Sequence, residues 1–152
     1  ASAEEKAKAE TEDAVVKQVV ENAEFDLPDA MVDAEIDRRV NDFAQRLQYQ
    51  GLDLDTYLSY IGGTKETFRE NFRDQAKASC SSSLVIEAVM KAEGIETGAE
   101  EYELNLVDMA KKYGMELDKL KELITDDEAD RIKKDMAMGK TVEMLVNNAV
   151  VK

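Results

Sequence analysis

The 152-residue sequence lacks several residue types on which catalytic and metal-binding sites depend. It contains no histidine, so the commonest general base and the commonest transition-metal ligand are both missing. Catalysis by a Ser-His or a Cys-His pair is therefore excluded. Cys80 is the only cysteine, which excludes an internal disulfide and fits a reducing compartment. We predict no catalytic residue, no metal site and no cofactor, and an enzyme is the function class that we expect least.

The sequence features that resemble active sites have simpler structural explanations. Cys80 lies in a predicted helix interior, and its nearest basic neighbour in the sequence is Lys77, so we expect an inert structural thiol. The acidic run 126–130 lacks the central glycine and closing glutamate of an EF-hand loop, and a helix N-terminus explains it better. Gly62-Gly63 does not have the spacing of a phosphate-binding loop. No pair of carboxylates stands out as a hydrolytic pair.

The charge and hydropathy of the chain disfavour two classes of partner. There are 20 Lys and Arg against 34 Asp and Glu, a formal net charge of -14, whereas nucleic-acid binding needs a basic surface that displaces counterions. No segment approaches eighteen consecutive apolar residues, and residues 1–6 lack the layout of a signal peptide. We therefore expect a cytoplasmic protein that binds neither nucleic acid nor membrane.

Proline and glycine are scarce, which favours a few long helices, and no alternating strand pattern is visible. Pro28 suits the first turn of a helix, and Gly51 suits the left-handed position that follows the last turn. The longest amphipathic pattern therefore predicts a helix over 28–51. Its apolar residues recur every three or four positions and mark one buried face: Val32, Ile36, Val40, Phe43 and Leu47.

Three other helices are predicted in the first half of the chain. One runs over 4–23, with its first dozen residues projecting or fraying. Asp53 caps a helix of two turns, and Thr64 caps a long helix that continues to about Glu93. The run 79–83 consists of four serines and one cysteine, which are indifferent helix formers, so we expect a bend or a close helix-to-helix approach there.

The second half repeats the order of long, short and long helix. Thr97 and Glu100 fit a capping box that opens a helix, and Thr125 and Glu128 fit another at the start of the last helix. We find no residue-level repeat, so two helical hairpins formed by ordinary packing explain the similarity. The apolar positions of the three helices are Tyr102, Leu106, Met109, Ala110 and Tyr113; Leu117, Leu120, Leu123 and Ile124; and Ile132, Met136, Val142, Leu145 and Ala149.

Methionine and tyrosine, side chains that fit partners of many shapes, supply the remaining candidates. For each residue alone, core filling is the commoner role, and Met109 and Met136 lie on their helix stripes. Met138 lies off its stripe, and Met115 and Tyr49 lie beside glycine bends, so these three are the better candidates for exposed apolar surface. The candidate residues for binding an apolar partner are Tyr49, Leu52, Tyr57, Tyr60, Ile61, Met109, Tyr113, Met115, Met136 and Met138.

Four groups of residues follow one another along nearly the whole chain: Glu21-Asn22-Ala23 with Leu27-Pro28-Asp29-Ala30-Met31-Val32; Gln45-Arg46-Leu47 to Gly51-Leu52; Leu84-Val85-Ile86-Glu87-Ala88-Val89 with Glu93-Gly94-Ile95; and Lys112-Tyr113-Gly114-Met115. In this order and spacing they resemble the C-terminal chaperone domain of trigger factor, the bacterial ribosome-associated chaperone family. The chain departs from that pattern at 78–83, where members of the family tend to carry basic residues.

The resemblance implies an all-α fold: an elongated helical body with two helical-hairpin arms that enclose a cradle for unfolded or nascent polypeptides and act without ATP. It also implies one domain, with a linker and body helix at 1–27, a first arm at 28–95, and a second arm with a C-terminal body helix at 96–152. The ribosome-binding and prolyl isomerase domains of the family have no counterpart here, so we expect no isomerase activity and contact with ribosomes only through a domain absent from this chain. Chaperones related to SurA share this kind of fold, but their signal peptides and parvulin domains are not visible.

Two hypotheses from different classes follow. The first is an ATP-independent holdase that contacts apolar segments of its clients through dispersed, weak sites and prevents their aggregation. The second is a helical structural or dimerisation module that pairs with itself or with one fixed partner through the same apolar surface. Aggregation assays and sedimentation discriminate between them.

Overall fold

The computed structural model describes residues 3–149, and over that range the chain forms eight α-helices and no strand. The prediction of an all-α fold is confirmed. None of the described helices is long and apolar enough to cross a membrane. The helices are α1 (Ala3–Glu21), α2 (Asp29–Tyr49), α3 (Leu54–Ile61), α4 (Lys65–Glu70), α5 (Arg73–Ala92), α6 (Ala99–Tyr113), α7 (Leu117–Leu123) and α8 (Asp126–Asn148).

The chain divides into two compact units, with one boundary within α1 and the other within α5. We call Val20–Val85 the α2–α5 unit, and the rest, Ala1–Val19 with Ile86–Lys152, the α6–α8 unit. The predicted arm and body boundaries at 27/28 and 95/96 stay predictions. Helix α1 is continuous from Ala3, and its side chains over 3–11 are all exposed.

The core of the α2–α5 unit lies where α2 meets α5. Val32, Ile36 and Ala76 are at most 1% exposed and form one cluster. Leu27, Val40 and Phe72 pack against it. The apolar stripe predicted for α2 is therefore confirmed.

The single long helix predicted from Lys65 to about Glu93 is wrong. Thr64 does cap a helix, since its hydroxyl accepts from the Thr67 amide, but that helix ends at Glu70 and α5 begins at Arg73. The interruption separates two aromatic side chains that have different neighbours. Phe68 packs against the rings of Phe43 and Tyr57, while Phe72 also joins the core that α2 forms with α5.

The serine-rich run 79–83 lies within an unbroken stretch of α5, and the close helix-to-helix approach expected there is found. The Cys80 thiol is 4% exposed and donates to the Met31 carbonyl at 3.6 Å. The Arg39 Nη2 atom donates to Ser79 Oγ at 2.6 Å. Small side chains here let α5 pack closely against α2, and burial raises the pKa of the Cys80 thiol, as expected for a structural cysteine.

The core of the α6–α8 unit centres on the contact between α6 and α7. Leu106, Ala110 and Leu120 are buried together. The four partly buried residues that pack against them are Tyr102, Met109, Leu117 and Ile124. The apolar stripes predicted for these two helices are thus largely confirmed, with exceptions near their C-terminal ends.

One of the two capping boxes predicted in this unit is wrong. Helix α6 begins after Gly98, and the Glu101 carboxylate, rather than that of Glu100, accepts from the Gly98 amide at 2.9 Å. The Thr97 hydroxyl instead donates to the Lys133 carbonyl of α8 at 2.7 Å, so a tertiary hydrogen bond replaces the local cap. The other box is confirmed: the Glu128 amide donates to Thr125 Oγ1 at 3.3 Å, and the Thr125 amide donates to the Glu128 carboxylate at 2.8 Å.

Candidate functional site

The most exposed of the candidate residues in the α2–α5 unit lie at the two turns that bound α3. Tyr49 is 91% exposed, Tyr60 is 79% exposed and Ile61 is 55% exposed. Tyr49 is the last residue of α2, and Tyr60 and Ile61 are the last two residues of α3. We call these three side chains the α3 surface residues, and they present apolar groups to solvent.

Glycine turns place these side chains. Gly51 has a φ of 76° and follows the C-terminus of α2, and the Leu52 amide donates to the Leu47 carbonyl at 3.0 Å. Gly62 has a φ of 65° and ends α3 in the same way. Because a left-handed residue reverses the chain within one turn, the last side chains of each helix remain at the periphery of the unit.

The other two candidates in this unit are not freely exposed. Leu52 is half-buried, and the Tyr57 ring packs 5.3 Å from Phe43 and 6.3 Å from Phe68. Tyr57 is therefore part of an aromatic cluster with Phe43 and Phe68. Such a cluster makes a stiff support, because tilted and edge-to-face ring pairs add to the stabilisation from area burial alone.

The candidates in the α6–α8 unit also divide into exposed and partly buried side chains. Tyr113 is 64% exposed and Met115 is 36% exposed, on either side of the Gly114 turn. Met109 packs against the core of α6 and α7. Met136 and Met138 of α8 are both half-buried.

The sequence analysis missed two exposed leucines in this unit. Leu104 is 62% exposed and Leu123 is 67% exposed. Leu104 lies two positions from both Tyr102 and Leu106, which places it about 200° around the helix from the buried stripe. This position could have predicted its exposure from the sequence. Leu123 was predicted only as one of the apolar positions of α7, and it is the last residue of that helix.

The charged groups near these surfaces have structural partners. Thr56 donates its hydroxyl and its amide to the Asp53 carboxylate, which lowers the pKa of that carboxyl. Lys65 Nζ lies 2.8 Å from Asp55, which raises the pKa of the lysine. In the part of the chain that the structure describes, no group of three or more Cys, Asp or Glu side chains could hold a metal ion.

An open depression of about 370 Å3 lies between α2 and α5. Its charged side chains are already paired, since Arg38 donates to the Glu35 carboxylate at 2.8 Å and also reaches Asp42. Hydrogen bonding from Arg38, assisted by Arg39, lowers the pKa of Glu35. The remaining lining residues include Met31 and Cys80. This arrangement stabilises the packing of two helices and presents no free reactive group.

Comparison with known proteins identifies the family. The model of the family described as "Bacterial trigger factor protein (TF) C-terminus" matches residues 1–147. The trigger factor of Lachnoclostridium phytofermentans is 47% identical over 143 residues, which cover 94% of this chain and 33% of that protein. The trigger factor of Acetivibrio thermocellus is 43% identical over 150 residues, which cover 99% of this chain and 35% of that protein. The chain thus spans about a third of the length of these relatives.

A solved structure of trigger factor domains from Thermotoga maritima has the same fold. It matches with a TM-score of 0.67 and 20% identity, covering 94% of this chain and 83% of that chain. Because the family model and relatives more than 40% identical both align along almost the whole sequence, the resemblance noted from its motifs is confirmed, and the chain belongs to the bacterial trigger factor family, a chaperone family, as part of its C-terminal region.

Proposed function

We propose that this chain is an ATP-independent chaperone module that binds apolar segments of unfolded or nascent polypeptides and prevents their aggregation. The observation that supports this most directly is the exposure of large apolar side chains at helix ends in both units, with Tyr49 at 91% and Leu123 at 67%. Side chains left in water contribute little to the stability of the fold, and they are free to cover an apolar segment of a client, which removes apolar area of both from water.

The expected binding is weak at each site and rapidly reversible. Covering about 100 Å2 of apolar surface contributes roughly 2.5 kcal/mol. Fixing each flexible side chain of the client costs about 0.5–1.5 kcal/mol. Several dispersed contacts are therefore needed to hold one client, and each can open without the others. Membership of the trigger factor family supports the same function, and it supports a cytoplasmic location.

The test measures aggregation of a chemically denatured model protein by light scattering, with and without this chain at stoichiometric excess. We expect suppression by the wild type and weaker suppression by the combined variant Tyr49→Ser, Tyr60→Ser, Ile61→Ser and Tyr113→Ser. The matched control replaces exposed polar neighbours, as in Gln48→Ser with Gln50→Ser, and should suppress as the wild type does. Absence of suppression by the wild type would contradict the proposal.

The alternative, a structural or dimerisation module, predicts a different pair of results. Sedimentation would show a dimer that persists on dilution, and the same protein would leave aggregation unchanged. We propose further that the chain catalyses no reaction, so a prolyl isomerase assay should give the uncatalysed rate.

A further inference from the structure

We propose that the connection between α1 and α2, residues 22–28, is a cleavage site at which an endoprotease cuts the chain after Phe25. The partner is an enzyme that binds its substrate as an extended strand and accepts an aromatic side chain before the cut. Water adds across the Phe25–Asp26 peptide bond, which leaves a carboxylate on Phe25 and a free amine on Asp26. The site does not depend on the proposed function, because none of the candidate binding residues lies in it.

The backbone of this connection carries a run of unpaired amides. Over residues 3–149, the amides of the four residues 24–27 have no hydrogen-bond acceptor. The bonds begin again at either side, since the Ala23 amide donates to the Val20 carbonyl at 3.2 Å and the Pro28 carbonyl accepts from the first turn of α2. An extended segment binds a partner by pairing such free main-chain groups, as one strand pairs with another. Residues 24–27 can therefore enter an enzyme cleft without prior loss of internal hydrogen bonds.

The side chains and the following proline suit the same cleft. Pro28 has a φ of -64° and a ψ of 128°, and a residue before proline is directed to extended conformations, so Leu27 continues the strand-like path. Phe25 is 39% exposed, and its neighbours Glu24 and Asp26 are exposed as well. A cut after Leu27 would place proline, which has no N–H, directly after the broken bond. Phe25 is therefore the aromatic or aliphatic residue of this connection that precedes a bond open to hydrolysis.

The connection between α5 and α6, residues 93–98, is of similar length but is held by hydrogen bonds. Lys140 Nζ donates to the Glu96 carbonyl at 2.9 Å, and the Gly98 amide donates to the Glu101 carboxylate at 2.9 Å. A protease has to break such bonds before this segment can bind as a strand, and the required local opening lowers the cleavage rate. Two connections of similar length should therefore differ in how fast they are cut.

The more exposed aromatic side chains of the chain lie on hydrogen-bonded backbone. Tyr49 is 91% exposed and ends α2, and the amide that follows it donates to the Leu47 carbonyl at 2.9 Å. Tyr113 is 64% exposed and ends α6, and the amide that follows it donates to the Lys111 carbonyl at 3.2 Å. Side-chain exposure alone favours Tyr49 as the cleavage site, whereas an unpaired backbone favours Phe25.

A cut at this position leaves both buried clusters within one product. None of the described residues of α1 is buried. Leu27, which packs against the core formed by Val32, Ile36 and Ala76, lies on the α2 side of the cut. We therefore expect the product that begins at Asp26 to stay folded and to resist further digestion.

The experiment digests the full chain with chymotrypsin under native conditions and follows the products by intact-mass spectrometry. The first cut should follow Phe25 and should be at least about tenfold faster than cuts after Tyr49, Tyr60 or Tyr113, because those helix ends have to open first. Phe25→Ser should slow the first cut by at least about tenfold, and the matched variant Tyr49→Ser should leave its rate unchanged. Circular dichroism of each variant verifies that it folds.

A second enzyme separates the unpaired backbone from the aromatic side chain. A glutamate-specific endoprotease should cut after Glu24 at least about tenfold faster than after Glu96, although both side chains are exposed, because Lys140 holds the Glu96 carbonyl.

Several results would overturn the proposal. A first chymotryptic cut anywhere but after Phe25, or no cut under native conditions, would show that the unpaired backbone does not select the site. Faster cleavage after Glu96 than after Glu24 would show the same. Digestion of the first product as fast as it forms would mean that residues 22–28 are not a discrete site. The aggregation assay tests the proposed function separately, and none of these outcomes changes its result.

Discussion

The α2–α5 unit and the α6–α8 unit join their helices with different chemistry. In the first, the rings of Phe43, Tyr57, Phe68 and Phe72 form a connected cluster with centroid separations of 5.1–6.3 Å. In the second, the buried cluster is aliphatic, and Tyr102 has a cation, Lys133 Nζ, 5.1 Å from its ring centroid. The first unit thus adds tilted and edge-to-face ring pairs to its aliphatic core, whereas the buried cluster of the second unit is aliphatic alone.

The ion pairs between helices differ in the same way. In the α2–α5 unit two of them use arginine, Arg69–Asp37 and Arg73–Asp33, and one uses lysine, Lys65–Asp55. In the α6–α8 unit they use lysine: Lys134 Nζ lies 2.8 Å from Glu87, Lys140 Nζ lies 2.8 Å from Glu101, and Lys121 Nζ lies 2.5 Å from Glu103. Arginine forms a rigid fork, whereas lysine acts as a flexible point charge. The lysine pairs are therefore the ones we expect to respond more to salt.

The largest effect should come from removing the centre of the aromatic cluster. Phe68 is 8% exposed and touches three other rings. We expect Phe68→Ala to lower the free energy of unfolding by about 3–5 kcal/mol, measured by urea denaturation. Faster amide exchange should appear first in α2–α5.

The control for this substitution lies in the other unit. Leu104 is 62% exposed, so Leu104→Ala should change the free energy of unfolding by no more than about 0.5 kcal/mol. Equal decreases in the free energy of unfolding for the two variants would show that the aromatic cluster does not contribute more to stability than an exposed leucine does. The contrast between the units would then not hold.

Helix caps should give an intermediate effect that is the same in both units. Thr125→Ala removes the hydroxyl that accepts from the Glu128 amide, and Asp53→Ala removes the carboxylate that accepts from the Thr56 amide. Each should lower the free energy of unfolding by about 1 kcal/mol, because each leaves a first-turn amide without its partner. Serine at position 125 should restore most of the loss. A decrease in the free energy of unfolding for only one of the two variants would show that the contribution of a cap depends on the tertiary structure around it.

The smallest expected effect concerns pH. Hydrogen bonds from Lys134, and then from Lys91, lower the pKa of Glu87 from its ordinary value of 4.5. A carboxyl whose pKa is lowered by folding contributes stability above that ordinary value, and the contribution is lost as the pH falls through the folded-state pKa. We expect the free energy of unfolding to fall less between pH 6 and pH 3 in Glu87→Gln than in the wild type, by under about 1 kcal/mol for so exposed a pair.

A matched carboxylate gives the control for the pH measurement. Glu35→Gln gives the comparison with the arginine-based unit, because Arg38 and Arg39 lower the pKa of Glu35. If the free energy of unfolding of Glu87→Gln falls as much between pH 6 and pH 3 as that of the wild type, the lysine pairs do not contribute to the acid sensitivity of their unit.

Much of the fold could be predicted because its signals are local. Pro28, Gly51, Asp53 and Thr125 mark helix ends through contacts within four residues, and the structure places helix ends at each of them. The apolar stripe of α2 was predictable for the same reason, since a period of 3.6 residues needs no knowledge of a partner. Motif order also identified the family, although each motif alone is weak.

The candidate site was predicted less completely. Tyr49 and Met115 were selected for their position beside glycine bends, and the structure places them at 91% and 36% exposure. Tyr57 was selected by residue type and packs into the ring cluster, while Leu104 was overlooked. Residue type alone does not separate core from surface on a short helix, because neighbours distant in sequence decide which side is covered. Their role in binding stays a prediction.

The sequence by itself determined most of the helix ends and which faces are apolar, because caps, glycine turns and periodicity act over a single turn. Only the tertiary structure decided that the helix is interrupted between α4 and α5, so that Phe68 and Phe72 have different aromatic and aliphatic neighbours. It also decided that the Thr97 hydroxyl donates to the Lys133 carbonyl instead of capping α6. These outcomes depend on residues more than thirty positions apart, such as Phe72 and Val32 or Thr97 and Lys133, and no local pattern carries that information.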